Sequence, residues 1–335
     1  MTNHPTSWIT VKSAGLYCKP GQFFIDPHYP VDYAIITHGH ADHARPGHKK
    51  VLATAETLKI MKARYGDQAG LLQPLKYHRP IVHREVKISF IPAGHIIGSA
   101  QILLEYHGSR LIISGDYKRR TDPTCLPFEV VPCDVFITEA TFGLPIFIHP
   151  PIEDEINKLL TSLQQHPMRC HLIGAYALGK CQRLMLALRE QGYDRPFYLH
   201  GAMLKLCELY QSLGFSFGEL TPVTAQNARD LGGEIVFCPP SALQDRWSRK
   251  LPHSLIGYAS GWMQVRARAK QKGVELPLIV SDHADWNELT QTIQQVKAPE
   301  IWVTHGNEEA LVYYATSQGL QAKAVANLHY EDEDD

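Results

Sequence analysis

One short stretch carries more chemistry than any other: Thr37-His38-Gly39-His40-Ala41-Asp42-His43. It follows the apolar run Tyr33-Ala34-Ile35-Ile36, which reads as a strand. Imidazole and carboxylate suit borderline first-row cations such as zinc or manganese. A turn at a strand end lets four side chains point at one spot. Histidines two residues apart can share one cation. The adjacent Asp42–His43 pair can reach a second, a few ångströms away. Chance clustering in a polar loop is a poor alternative for so specific an order of residues.

Two cations need more ligands than one motif supplies. His95 closes Pro92-Ala93-Gly94-His95, Asp116 closes Ser114-Gly115-Asp116, and His305 lies in Thr304-His305-Gly306. Each stands at the end of a strand-like run. A carboxylate at 116 could bridge two metals. Alone, each is more often a hydrogen-bonded structural residue. Together they complete two four-ligand sets.

The elements that must position these residues are short. Apolar, β-branched runs at 31–36, 86–91, 110–114, 134–138, 171–175, 234–238, 277–281 and 300–304 read as strands. Before 145 they are closely spaced, as in sheet-rich structure. Pro150-Pro151 marks a boundary, after which Ile156, Leu159, Leu160 and Leu163 repeat at helical spacing. A second helix is expected over about 180–191. Strand–turn–helix alternation then continues to about 275, which suggests a small α/β unit.

At 335 residues the chain has length for two domains or one with a large insertion. A 44% hydrophobic and 20% charged composition excludes bulk disorder. No apolar run approaches the roughly 20 residues that span a bilayer, and the first residues lack a basic-then-apolar leader. Seven cysteines without a Cys-x-x-Cys pair favour reduced thiols. The expectation is a cytoplasmic protein with no membrane partner and no cysteine ligand. Cys181 and Cys207, in apolar helical contexts, are expected as buried packing residues.

The net charge of −1 is uninformative, but its distribution is not. Five of the 34 acidic residues form the block 331–335, expected as a solvated tail. Between 246 and 272 there are seven Lys or Arg and no acidic residue. This strip is either a soluble face or a phosphate-facing one. Within it, Arg266 and Arg268 beside Trp262 could guide a nucleic-acid strand, although such a Trp is more often a core anchor. Gly174-Ala-Tyr-Ala-Leu-Gly-Lys180-Cys-Gln-Arg183 links a strand to a helix, where main-chain N–H groups favour anions. Lys180 and Arg183 are candidates for binding backbone phosphate; simple packing with a surface lysine is the alternative. Cys181 stands where a nucleotide-binding P-loop needs Ser or Thr.

In order and spacing, His38-x-His40-x-Asp42-His43, Gly94-His95 and Gly115-Asp116 resemble the metallo-β-lactamase superfamily. Thr138-Glu139-Ala-Thr-Phe142, Ser281-Asp282-His283-Ala-Asp285 and Thr304-His305-Gly306 resemble motifs A, B and C of its nucleic-acid branch, the β-CASP nucleases. Ser114-Gly-Asp-Tyr117, Asp122-Pro-Thr-Cys125 and the run from Ile137 to Pro145 look most like the bacterial DNA-ligase-associated exonucleases. The resemblance implies an αββα sandwich from 1–150 and 276–330, with a β-CASP-like α/β cap inserted over 151–275. The active site is expected in the cleft between core and cap.

The resemblance further implies one metal on His38, His40, His95 and Asp116, and a second on Asp42, His43, Asp116 and His305. Zinc is the first expectation, manganese the alternative. Asp26 matches an aspartate that orients a ligand histidine. Glu139 and His283 match the pair beside the scissile phosphate, with His283 protonating the leaving oxygen and Glu139 orienting it. The implied activity is hydrolysis of DNA by a hydroxide activated by two metals. The enzyme is expected to be an exonuclease in repair, partnered functionally with an ATP-dependent DNA ligase. An RNA endo- or 5′-exonuclease is the alternative, and His305 in motif C resembles the RNA-processing branch. A small-molecule thioester or lactam hydrolase and a non-enzymatic nucleic-acid scaffold fit the motifs less well.

Overall fold

The computed structural model describes residues 4–328. The acidic block 331–335 lies outside the described residues. The chain divides into two units: Met1–Ile148 with His283–Asp335, and His149–Asp282. The second unit runs past 275 because Leu276–Leu278 pairs in parallel with Leu255–Ala259 of its sheet.

The first unit has two sheets. One, of six strands, orders Ile9–Lys12, Gly15–Cys18, Phe23–Ile25, Tyr33–Ile35, Lys50–Ala53 and Leu71–Pro74. The other, of seven, orders Gln321–Ala324, Glu300–Gly306, Val135–Ala140, Ser109–Ile113, Ala100–Tyr106, Val86–Pro92 and Ile81–His83. Alternation sorts their side chains. Ile88, Phe90, Ile102, Leu104, Leu111, Ile113 and Ile137 join Phe23, Ile25 and Ile35 in the core shared by the two sheets. The opposite face, with Ile91, Leu103, Ile112, Phe136 and Ile301, packs on Leu289 and Ile293 of the helix Trp286–Gln295 and Leu311 of the helix Glu308–Ser317. The six-stranded sheet packs Ala34, Val51 and Ala53 against Leu58 and Met61 of the helix Ala55–Tyr65. The layers are therefore helix, sheet, sheet, helix.

The second unit is a six-stranded sheet ordered Leu220–Pro222, Phe197–Leu199, Ile235–Cys238, His171–Gly174, Leu255–Ala259 and Leu276–Leu278. Every pairing in it is parallel. The helices Ile152–Gln165, Lys180–Glu190 and Gly201–Ser212 alternate with its strands. In the first of these, Ile156 and Leu159 are buried, as the spacing predicts.

Candidate functional site

The strand Tyr33–Ile35 runs parallel to both neighbours, so its turn emerges where strand Phe23–Ile25 also ends. Asp26 follows that neighbouring strand with φ +44, a conformation uncommon for a non-glycine residue. One Asp26 oxygen accepts the Thr37 N–H at 2.8 Å; the other accepts the Thr37 hydroxyl at 2.6 Å and faces His43 Nδ1 at 2.8 Å. Thr37 Oγ1 also lies 3.0 Å from His38 Nδ1. Asp26 thus orients His43 and ties down the turn's first residue. The sequence signal for Thr37 is its place directly before His38.

His38, His40, His95 and Asp116 converge. His40 Nδ1 lies 3.2 Å from His38 Nε2 and 2.9 Å from His95 Nε2. Asp116 Oδ2 lies 3.4 Å from His38 Nε2 and 3.7 Å from His95 Nε2. One ligand atom from each of the four falls within 4.8 Å of every other. His43, Asp116 and His305 form a second such group, with His43 Nε2 at 3.5 Å from Asp116 Oδ2. Asp42 stands apart from it. Its carboxylate is 3.9 Å from His43 Nε2, but the side chain is 74% exposed on the outside of the turn.

His305 reaches the site by a break in strand regularity. Glu139 pairs with Thr304 and Ala140 with Gly306, so His305 is an extra residue in its strand. It is bulged out with φ +55, inside the strand Glu300–Gly306 rather than in a turn after it. Gly306 allows the return: at φ +125, a Cβ there would fall on the Ala140 carbonyl oxygen.

A third group joins Asp116 to the expected motif A and B pair. Glu139 is buried at the end of its strand. One of its oxygens accepts the Tyr117 N–H at 2.7 Å and the other faces His283 Nδ1 at 2.8 Å. His283 Nδ1 also lies 3.9 Å from Asp116 Oδ2.

The charges are mutually dependent. Burial, reinforced by the charge of His43, pushes His38 well below its usual range. Burial opposes ionisation of Asp116, yet the charges of His43, His283 and His38 hold its carboxyl well below the usual carboxylate range. Burial opposes a charge on His43 as well, but Asp116, with help from Asp26, pushes its imidazole well above the ordinary value. Ring nitrogens and an ionised carboxylate crowded into one spot are the donor set of a divalent cation, and zinc or manganese fits it.

The second unit holds the other candidates. Lys180 and Arg183 are buried, and their charged ends meet Asp282 at 3.0 and 3.3 Å. Arg183 also donates to the Ser281 carbonyl at 2.6 Å. They were expected to face phosphate; instead they face a carboxylate, because burial in the parallel sheet's helix layer demands a counter-charge. Arg266 and Arg268 are exposed, and Arg268 lies over the Trp262 ring at 4.0 Å. None of the seven cysteines is in a disulfide, and Cys181 and Cys207 are buried.

Comparison with known proteins adds to this geometry. Residues 273–318, which contain His283 and His305, match the family described as the Zn-dependent metallo-hydrolase RNA specificity domain. A protein named "Probable DNA ligase" from Opitutus terrae is 28% identical over 95% of this chain and 31% of its own length. "Cleavage and polyadenylation specificity factor 73" of Drosophila melanogaster is 24% identical over 77% of this chain and 46% of its own. A third relative, the "RNase J-like protein" of Methanocaldococcus jannaschii, is 27% identical over 54% of this chain and 50% of its own length. Together these matches support the resemblance to the metallo-β-lactamase superfamily and its β-CASP nuclease branch. The chain spans 31%, 46% and 50% of the lengths of these three relatives. A crystal structure of a protein of unknown function from Enterococcus faecalis V583 shares its fold, with TM-score 0.56 and 14% identity over 82% of this chain and 75% of that one. The description of the matching family as Zn-dependent and the clustered His and Asp side chains both support divalent-cation binding. No helix among the described residues is long and apolar enough to cross a membrane.

Proposed function

We propose that this chain hydrolyses DNA phosphodiesters with two divalent cations, zinc before manganese, as an exonuclease acting in repair alongside an ATP-dependent DNA ligase. One observation carries the DNA reading: nearly the whole chain aligns to part of a longer protein named for DNA ligation. Joining ends and trimming ends use the same substrate, so the two activities belong together.

His38, His40, His95 and Asp116 would hold one cation; His43, Asp116 and His305, with Asp42 from the same turn, would hold the other. When bound, the cations neutralise the phosphate and lower the pKa of water toward about 7. Asp26 holds His43 with Nε2 turned toward Asp116. Glu139 takes up His283 Nδ1, which leaves Nε2 to give a proton to the departing oxygen. An imidazole with an unperturbed pKa near about 6.5 suits that task at neutral pH. Arg266 and Arg268, exposed in the second unit, guide the strand.

RNA cleavage is the second reading. The match of residues 273–318 to an RNA specificity domain favours it. A time course on end-labelled single-stranded DNA and the matching RNA separates the two, with wild type beside Asp116→Ala in zinc and in manganese. Stepwise loss of DNA from one end, intact RNA and a dead variant are expected. RNA cleavage with intact DNA would overturn the DNA reading and keep the metal site.

A further inference from the structure

Five consecutive residues, Asp116–Arg120, reach most of the loops that build the site. Asp116 faces both ligand sets. The Tyr117 main chain donates its N–H to Glu139 at 2.7 Å and accepts the Ala284 N–H at 2.6 Å, beside His283. The Lys118 N–H donates to the Ala93 carbonyl at 3.2 Å. Its side chain runs inward, where Nζ donates to Asp122 Oδ2 at 2.6 Å and to the His95 carbonyl at 3.4 Å. Arg119 donates to Thr292 and Gln295 of the helix Trp286–Gln295. The Arg120 guanidinium pairs with Asp285 and, at 3.6 Å, with Glu288. Those two acids form the capping box at the start of that helix.

Lys118 decides what this segment is for. It is among the largest fully buried side chains of the chain. Taking a charge out of water is expensive, and a buried ion pair often stabilises no more than an apolar pair of similar volume. Stability is therefore a poor account of Lys118 and Asp122. An ammonium does what an apolar side chain cannot: it holds two fixed oxygens at once. Asp122 is itself anchored, accepting the Thr124 N–H at 2.8 Å and the Thr124 hydroxyl at 2.7 Å. The other oxygen belongs to His95. Between them Gly94 sits at φ +74, where a Cβ would fall on the Lys118 carbonyl oxygen. The turn that carries His95 is pressed onto the Lys118 main chain and tied there by its side chain.

We propose that Lys118 and Arg120 are positioning residues, a brace running outward from the shared carboxylate. Lys118 fixes the turn that presents His95 to the first cation. Arg120 fixes Asp285, two residues beyond His283, and with it the loop that presents the proton donor. Neither touches the reacting atoms. The inference rests on the roles proposed above for His95 and His283.

The two arms of the brace act on different quantities, which makes them testable in the full chain. Zinc affinity is read by competition with a chromophoric chelator, folding by thermal unfolding, and kcat and KM on whichever nucleic acid the wild type cleaves. In Lys118→Met, zinc binding should weaken about 10–100-fold. Lys118→Met with Asp122→Leu removes both buried charges together; it should recover the wild-type melting temperature but not the zinc affinity. Arg120→Gln should keep wild-type zinc affinity and KM while kcat falls roughly tenfold, and Arg120→Lys should regain part of kcat. A double variant that regains both stability and zinc affinity would overturn the brace at Lys118. Unchanged kcat in Arg120→Gln would overturn it at Arg120, whose partly exposed side chain makes loss of folding a small concern. Wild-type protein that binds no zinc would sink the reading of the site and the brace with it. Zinc binding by the wild type with no change in any variant would sink the brace alone.

Discussion

His38 and His95 are shut off from solvent, and with His40 they bring three ring nitrogens together from two loops. Across Asp116 the arrangement loosens. His43 is buried, but His305 is exposed on a bulge and Asp42 is exposed on the outside of a turn. One set is therefore pre-assembled by the fold, while the other has one buried wall and two exposed members. Pre-assembly lowers the ordering cost of binding. The first cation should thus be held more tightly, and the second should respond to conditions and to substrate.

Removing Asp116 has the largest expected effect, because it breaks what the two sets share. Asp116→Ala should lose both cations in a metal-content assay and reduce hydrolysis to background. His283→Ala comes next and probes a group outside both sets. Hydrolysis should fall about 10²–10⁴-fold with both cations retained; full turnover would remove His283 as proton donor. Asp26→Ala sharpens the contrast between the sets. Chelator titration should show the second cation weakened by roughly 10–100-fold and the first weakened less, since Asp26 reaches His38 only through Thr37; equal weakening of both would erase the distinction. Gly306→Ala is the mildest. Backbone strain at the bulge should cost about 1–3 kcal/mol, and the overlap of the new Cβ with the Ala140 carbonyl adds to it; the melting temperature should fall by several degrees or more, with the first cation still bound.

Much of this site was legible in the sequence because its candidate ligands cluster. His38, His40 and His43 sit in one motif, and His95 and Asp116 each follow a strand that its apolar, β-branched run makes plain. The Glu139–His283 contact was legible only through resemblance, since 144 residues separate the pair. Lys180 and Arg183 show where spacing runs out. A cation at a helix start looks the same in sequence whether it faces phosphate or a buried Asp282, and only the tertiary counter-charge decides. The bulge at His305 was invisible for a related reason. Strand pairing, not composition, determines which residue is the extra one. The six-stranded sheet's first hairpin, Ile9–Lys12 with Gly15–Cys18, was also missed; its half-exposed residues give a weaker alternation than the buried strands.

The bulge also works as a phase shift. In a regular strand, side chains count off by twos, and each side receives every second one. One surplus residue resets the count, so Thr304 and Gly306 stay paired with the neighbouring strand while His305 is ejected between them. The hydrophobic run Ile301-Trp302-Val303 lies before the reset and keeps its seats in the two cores. Losing a single codon at this point would close the ladder, leave the sandwich intact and strip the open metal set of its imidazole. Single-residue length variation there separates folding from metal occupancy in a way that a point substitution in the core cannot.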